Sequence, residues 1–236
     1  MKTIILAGGL GTRLRKIISD KPKPMAQICG KPFLEWQIEL LKRFNLRDII
    51  LSVGYMSNEI KNYFGNGKKF EVHIEYVEEE KPLGTGGALK NAESYVVNED
   101  KFMVMNGDTY LLTDFTDFLS FHEEKKGLAT ISLANINEEN HRYGAVEINE
   151  HCIITKFIEK SEKNFGSINT GAYVFDLDIY SYMPAKEVFS IEYDLFPKIV
   201  ETNRIFGYKT NCYFRDLGTP EDYERIKKEL EELIWS

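Results

Sequence analysis

Cysteine is scarce: Cys29, Cys152 and Cys212 are the only three in 236 residues. An odd, widely spaced set argues against a disulfide framework and a structural zinc site, and the expected setting is a reducing one, the cytoplasm. Histidine is as sparse. His73, His122, His141 and His151 show no i,i+4 spacing with one another or with a cysteine, so none is expected to hold a metal. Long apolar runs are missing too: nothing approaches the roughly 20 residues of a membrane span, and residues 1–9 turn to glycine too soon for a signal peptide. Nor is there an excess of positive charge. A formal net charge of −7 disfavours nucleic acid as a partner and leaves small molecules. Without repeats, low-complexity tracts or linkers, and with 43% hydrophobic content, the chain is expected to form one domain with halves meeting near residues 127 and 128.

Glycine is where the sequence becomes informative. LAGGLGTRL (residues 6–14) follows the apolar, β-branched run KTIILA (residues 2–7), which reads as a buried strand. Gly8, Gly9 and Gly11 let backbone amides approach a triphosphate, and Arg13 supplies a planar cation for its oxygens. Two familiar glycine motifs do not fit. The Walker loop needs Gly-Lys-Ser/Thr, absent here, and GxGxxG would meet Leu14 where its third glycine belongs. A strand-to-helix turn with no ligand is the plain alternative. Charge weighs against it: between Leu10 and Pro32 stand Arg13, Arg15, Lys16, Lys21, Lys23 and Lys31, with Asp20 the one acid, in a chain that is acidic as a whole. Basic character is focused where a small polyanion would sit.

Beyond that turn, FLEWQIELLKRF (residues 33–44) places Leu34, Ile38 and Leu41 on one face of an amphipathic helix. DIILSV (48–53) reads as a strand, residues 57–64 as a short helix capped by Ser57, and residues 72–77 as a strand. LGTGGALKNAESY (83–95) opens a helix, and KFMVM (101–105) is a strand ending at Asn106-Gly107-Asp108. Such alternation predicts an α/β fold, a mostly parallel sheet with helices on both faces, whose ligands lie beyond the carboxyl ends of the strands. From about residue 128, the segments LATISLA, GAVEI, IITKFIE and INTGAYVFDL predict a more antiparallel second half, with a turn at NFGS (164–167). A last helix starts at Thr219-Pro220-Glu221-Asp222 with a capping hydroxyl and buries Tyr223, Ile226, Leu230 and Leu233.

Several constellations carry chemistry. Asp108 follows an apolar strand directly, and Asp216 stands in an equivalent place before Leu217-Gly218. Two carboxylates plus substrate phosphates suit a hard cation such as Mg²⁺, although an acid beside glycine is also an ordinary turn residue. In KPKPM (21–25) two prolines stiffen the chain, which could hold Lys23 over a reaction centre, whereas Lys21 reads as a solvated base and Lys31 is ambiguous. LGTGGAL, with Gly84 and Thr85, lies behind Glu78-Glu79-Glu80, and three carboxylates disfavour phosphate there. A nucleobase fits better, and guanine best, because one carboxylate can accept from both its N1–H and its amine; Glu80 is the candidate. Glu159-Lys160 and Asn169 offer donors and acceptors for a phosphosugar.

Taken in order, LAGGLGTRL, KPKPM, GKP, LGTGGAL, NGD, RYG, EK, NTG and DLGTP resemble the sugar-1-phosphate nucleotidylyltransferases, over essentially the whole chain. The resemblance implies a Rossmann-like three-layer α/β/α nucleotidyltransferase fold with a mostly parallel mixed central sheet and a small antiparallel sugar-binding part. Residues 1–127 then form the nucleotide-binding half and residues 128–236 the sugar-phosphate half with the last helix. It implies transfer of a nucleoside monophosphate from an NTP, GTP being favoured, to a sugar 1-phosphate, a heptose 1-phosphate being favoured, with release of pyrophosphate. Carried over by position, Arg13 and Lys23 are catalytic, Asp108 and Asp216 hold Mg²⁺, and Leu6, Ala7, Gly8, Gly9, Gly11, Thr12, Glu80, Gly84 and Thr85 bind the nucleotide. Asn106, Gly107, Tyr143, Gly144, Glu159, Lys160 and Asn169 bind the sugar phosphate; Thr170 departs from the alanine common at that place. A uridylyl-, cytidylyl- or thymidylyltransferase and a non-catalytic sugar-nucleotide sensor stay open as alternatives.

Overall fold

The computed structural model describes residues 1–14, 18, 20–135, 144–158, 167–211 and 213–235. Strand β1 (Lys2–Leu6) runs into the glycine-rich turn, and a short ladder of β2 (Gln27–Ile28) and β3 (Lys31–Pro32) leads to helix α1 (Phe33–Arg43). Then follow β4 (Asp48–Val53), α2 (Ser57–Phe64), β5 (His73–Glu78), α3 (Gly84–Asn91), α4 (Glu93–Val96) and β6 (Lys101–Asn106). β1 pairs in parallel with β4 and β6, and β4 with β5, as the strand–helix rhythm predicts. Both faces of this sheet are covered, so its strands are apolar on successive residues rather than alternate ones. On β1, Ile5 joins one core with Leu34, Ile38 and Leu41 of α1, while Ile4 joins another with Leu89 of α3 and Val96 of α4. Each wholly buried Leu, Ile or Phe contributes roughly 1.5–3 kcal/mol, which is what locks the strand register to its side chains.

The second half supplies β7 (Thr109–Leu112), α5 (Phe115–Lys125), β8 (Ala129–Ala134), β9 (Ala145–Ile148), β10 (Ile154–Ile158) and β11 (Ser167–Asp176). After them come α6 (Phe196–Val200), β12 (Ile205–Thr210), β13 (Tyr213–Asp216) and α7 (Pro220–Trp235). Among the described residues the main sheet has nine strands in the order β10-β9-β11-β6-β1-β4-β5, with β8 pairing β11 and β12. β11 is the joint between the halves, antiparallel to β6, β8 and β9. Its pairing with β8 slips between Asn169 and Tyr173, where Gly171 sits at φ +76°, a conformation that favours glycine. The helices thus form layers on two faces: α1, α2, α5 and α7 with one core, α3, α4 and α6 with the other.

At the ends of helices the outcome is mixed. Thr219 caps α7 as expected, its Oγ1 accepting from the Asp222 N–H at 3.2 Å while Asp222 Oδ2 accepts from the Thr219 N–H at 2.9 Å. Ile226 and Leu230 are buried and Tyr223 packs beside them; the Leu233 side chain and most of the NFGS turn lie outside the described residues. Ser57 does not cap α2. The residue before the helix is Met56, in the left-handed region at φ 54°, and Ser57 is already the first helical residue. His122 is buried, bonded to Thr130 Oγ1 at 2.8 Å and Asp176 Oδ1 at 3.1 Å, and burial holds its pKa down. Cys29 and Cys152 are free thiols. No helix among the described residues is long and apolar enough to cross a membrane.

Candidate functional site

At the carboxyl ends of β1 and β6 lies a cavity of about 490 Å³, within the size range of small-molecule sites. Leu6, Ala7, Gly8, Gly9, Gly11 and Thr12 line it from the glycine-rich turn, Gly84 and Thr85 from the start of α3, and Lys23 and Asp108 from the side. Gly11 has φ +58°, and a Cβ there would stand 2.9 Å from Lys23 Cβ; glycine lets the turn and the lysine segment come together. Arg13 is exposed and lies just past the residues that line the cavity, held in a turn whose Leu14 N–H donates to the Gly11 carbonyl at 3.0 Å. Lys31 stays outside the site, pairing with Glu39 and lying over the Trp36 ring at 4.7 Å.

The two prolines around Lys23 do what stiff segments do. Lys23–Met25 is one 3₁₀ turn, and Lys23 Nζ meets Asp108 Oδ2 at 2.6 Å, partly buried. Asp108 itself sits in the β6–β7 turn, which is braced from below by a residue to which the sequence motifs assign no role. Gln37, buried on α1, donates through Nε2 to the carbonyls of Asn106 at 2.9 Å and Thr109 at 2.5 Å, gripping the turn on either side of Asp108. Gly107 is packed against β1, its N–H donating to the Leu6 carbonyl at 2.9 Å, and it lines the larger cavity.

β13 brings the second aspartate. It pairs antiparallel with β7, with Asp216 opposite Thr109, and the Leu217 N–H donates to the Asp108 carbonyl at 2.7 Å. Asp108 and Asp216 border one smaller cavity of about 150 Å³, with Gly144, Asn169 and Glu192 among its other walls. Asn106 and Asp108 border both cavities, so the two adjoin at that turn. Among the described residues no group of three or more acidic, histidine or cysteine side chains could hold a metal alone. Two carboxylates with an ammonium already drawn to one of them do suit a hard cation completed by phosphate oxygens. Asn169 is engaged at both ends, its Nδ2 donating to the Tyr173 hydroxyl at 2.8 Å and its Oδ1 accepting from the Gly171 N–H at 2.9 Å. Tyr143, Glu159 and Lys160 lie outside the described residues.

Two features differ from the sequence pattern. The amides of Gly86 and Gly87 are not open to a ligand: both donate to the Phe189 carbonyl, at 3.0 and 3.2 Å, so that Gly84 and Thr85 are what this loop offers the cavity. Glu80 is exposed and borders an adjoining pocket of about 230 Å³ but not the larger cavity, whereas Glu79 is half-buried and borders both. Burial raises the Glu79 pKa, against bonds from the Leu83 N–H at 3.2 Å and the Ser52 hydroxyl at 3.1 Å that lower it. A signal for Glu79 was present in the strand period: counting by two from buried Val77 reaches it on the face that α3 covers, and places Glu78 and Glu80 on the other.

Comparison with known proteins places the chain in a family. Residues 2–232 match the model of the nucleotidyl transferase family. The chain is 38% identical to the D-glycero-alpha-D-manno-heptose 1-phosphate guanylyltransferase of Aneurinibacillus thermoaerophilus, over 99% of this chain and 100% of that protein. It is 42% identical to the protein of the same name from Campylobacter jejuni, over 94% of this chain and 97% of the relative. HddC from Yersinia pseudotuberculosis, 36% identical, superposes with a TM-score of 0.85 over 97% of this chain and 99% of its own, and has also been crystallised in complex with GMP-PN. The matched span takes in the glycine-rich turn, both cavities and every strand of the sheet, and the chain belongs to the nucleotidyl transferase family.

Proposed function

We propose that this protein is a guanylyltransferase that joins GTP and D-glycero-α-D-manno-heptose 1-phosphate into a GDP-sugar and releases pyrophosphate. The observation that carries the reading is the meeting of two cavities at Asp108, with the Lys23 ammonium 2.6 Å from its carboxylate. Similarity along nearly the whole chain to two heptose 1-phosphate guanylyltransferases, and to a protein crystallised with GMP-PN, supports the choice of sugar and base.

In this assignment the larger cavity takes GTP and the smaller takes the sugar phosphate. Amides of Gly8, Gly9 and Gly11, with Thr12, receive the triphosphate, and Arg13 folds in over its outer phosphates. Gly84 and Thr85 flank the base, and Glu79, in place of Glu80, accepts from guanine N1–H and the exocyclic amine. Asn106, Gly144 and Asn169 border the sugar-phosphate end, where Tyr143, Glu159 and Lys160 are also assigned. A sugar-phosphate oxygen attacks the α-phosphorus in line. One P–O bond forms, the bond to the β-phosphate breaks, and pyrophosphate leaves with the electron pair. The nucleophile is already ionised, so no protein base is required. Catalysis is then positioning and charge stabilisation, with Lys23 held where negative charge gathers on the transferring group. Asp108 and Asp216 would hold Mg²⁺, which when bound neutralises phosphate charge and aligns the two substrates.

Pyrophosphate release measured with each of the four NTPs against a panel of sugar 1-phosphates tests the assignment. The expected result is turnover with GTP and the manno-heptose 1-phosphate well above every other pair. Preference for UTP, CTP or dTTP, or no release with any sugar, would reject it.

A further inference from the structure

A third carboxylate borders the smaller cavity, and nothing in the chemistry above uses it. Glu192 lies in a single π-helical turn, Ile191–Leu195, which runs into α6. Its placement is closely determined. The Ser190 hydroxyl oxygen accepts from the N–H groups of Glu192 at 3.1 Å and Tyr193 at 3.3 Å, which fixes the backbone. Glu192 Oε2 then accepts from the Ser190 hydroxyl at 2.6 Å and from the Thr85 hydroxyl at 2.7 Å, while Thr85 Oγ1 accepts in turn from the Ile191 N–H at 2.9 Å. Both acceptor sites of Oε2 are therefore filled. Among the described residues, Oε1 receives only the Tyr173 hydroxyl, at 3.4 Å, a long contact against about 2.7–2.8 Å for a normal O–H···O bond.

A carboxylate with one oxygen anchored and the other under-used, on the wall of a polar cavity, is an acceptor waiting for a donor. It would repel a phosphate and attract a hydroxyl. Asn169, which shares this wall, has its own acceptor committed to the Gly171 N–H at 2.9 Å, so Glu192 is the stronger acceptor of the two. We propose that Glu192 determines sugar specificity by accepting a hydrogen bond from a ring hydroxyl of the sugar 1-phosphate through Oε1. The inference rests on the guanylyltransferase assignment and places the hydroxyl-bearing face of the sugar toward α6.

Steady-state kinetics of wild type, Glu192→Gln and Glu192→Asp, with GTP and D-glycero-α-D-manno-heptose 1-phosphate and its monodeoxy analogues, test it. The glutamine variant keeps the shape and can still accept from Thr85; the aspartate keeps the charge but withdraws it by one methylene. Both are expected to raise KM for the sugar phosphate by about tenfold to a hundredfold, the worth of one hydrogen bond to a charged group, with KM for GTP little changed. For one deoxy analogue, wild type and variants should have the same kcat/KM, which a merely structural role would not produce. Equal losses across every analogue, or an unaltered sugar KM, would overturn the inference while leaving the assignment standing. Wild-type protein that turns over no sugar 1-phosphate would overturn both.

Discussion

Two adjacent acids show how one residue step decides a role. Glu79 and Glu80 are chemically identical, yet the tie from the Glu79 N–H to the Val53 carbonyl at 2.8 Å continues the sheet by one residue and turns the first carboxylate inward. Burial then raises its pKa above the ordinary 4.5, so at any given mildly acid pH a larger fraction of Glu79 is protonated than of an exposed glutamate. The folded state binds that proton more tightly than the unfolded chain does. This group's contribution to stability is therefore greatest in acid and is lost as pH rises through the folded pKa. In the proposed assignment, only the ionised form can accept twice from guanine. Activity at limiting GTP is accordingly expected to fall on the acid side with a midpoint above 4.5, and Glu79→Gln should erase that limb, lower kcat/KM for GTP by roughly 10–100-fold and raise the melting temperature at neutral pH. A pH series of kcat/KM alongside thermal melts reads all three. An acid limb that persists in the variant would assign the titration elsewhere.

At the scale of elements, regular structure was legible and irregular structure was not. β4 runs over Asp48–Val53, as its β-branched pattern indicates, and the Thr219-Pro220 start of α7 matches its capping chemistry, because short-range physics alone determines both. The α2 start was misjudged for a similar reason: Ser57 has a capping hydroxyl, but Met56 in the left-handed region closes the preceding turn and leaves no place for it. Glu192 was beyond reach of any periodicity, since a π turn after an irregular stretch has no repeating pattern to read. Gln37 was hidden differently: a polar residue on a helix normally signals solvent, yet this one is buried so that its amide can clamp a turn 69 and 72 residues away. Gln37→Leu keeps the volume and deletes both bonds. The expected outcome is a loss of roughly 10-fold or more in kcat with a modest change in KM, because a turn displaced by a fraction of an ångström misplaces Asp108. Full activity in a folded Gln37→Leu protein would show that the β6–β7 turn needs no brace.

For the whole molecule, the deciding feature is where strands end. β1 and β6 run parallel and deliver the glycine-rich turn and Asp108 side by side, while β13 returns from the far end of the chain to set Asp216 next to them. That meeting of distant segments was foreseeable from alternation and from acids at strand ends; the slip in β11 that shapes a wall of the smaller cavity was not, because it arises from one glycine backbone. Under the proposed assignment, a nucleotide in one cavity and a phosphosugar in the next share a single turn, and transfer is direct, with no covalent relay through Lys23. The stereochemical course at the α-phosphorus tests this most directly. With a single diastereomer of GTP carrying sulfur on the α-phosphate, the account requires inversion of configuration in the GDP-sugar product; retention would mean two displacements through an enzyme-bound guanylyl group and would contradict it.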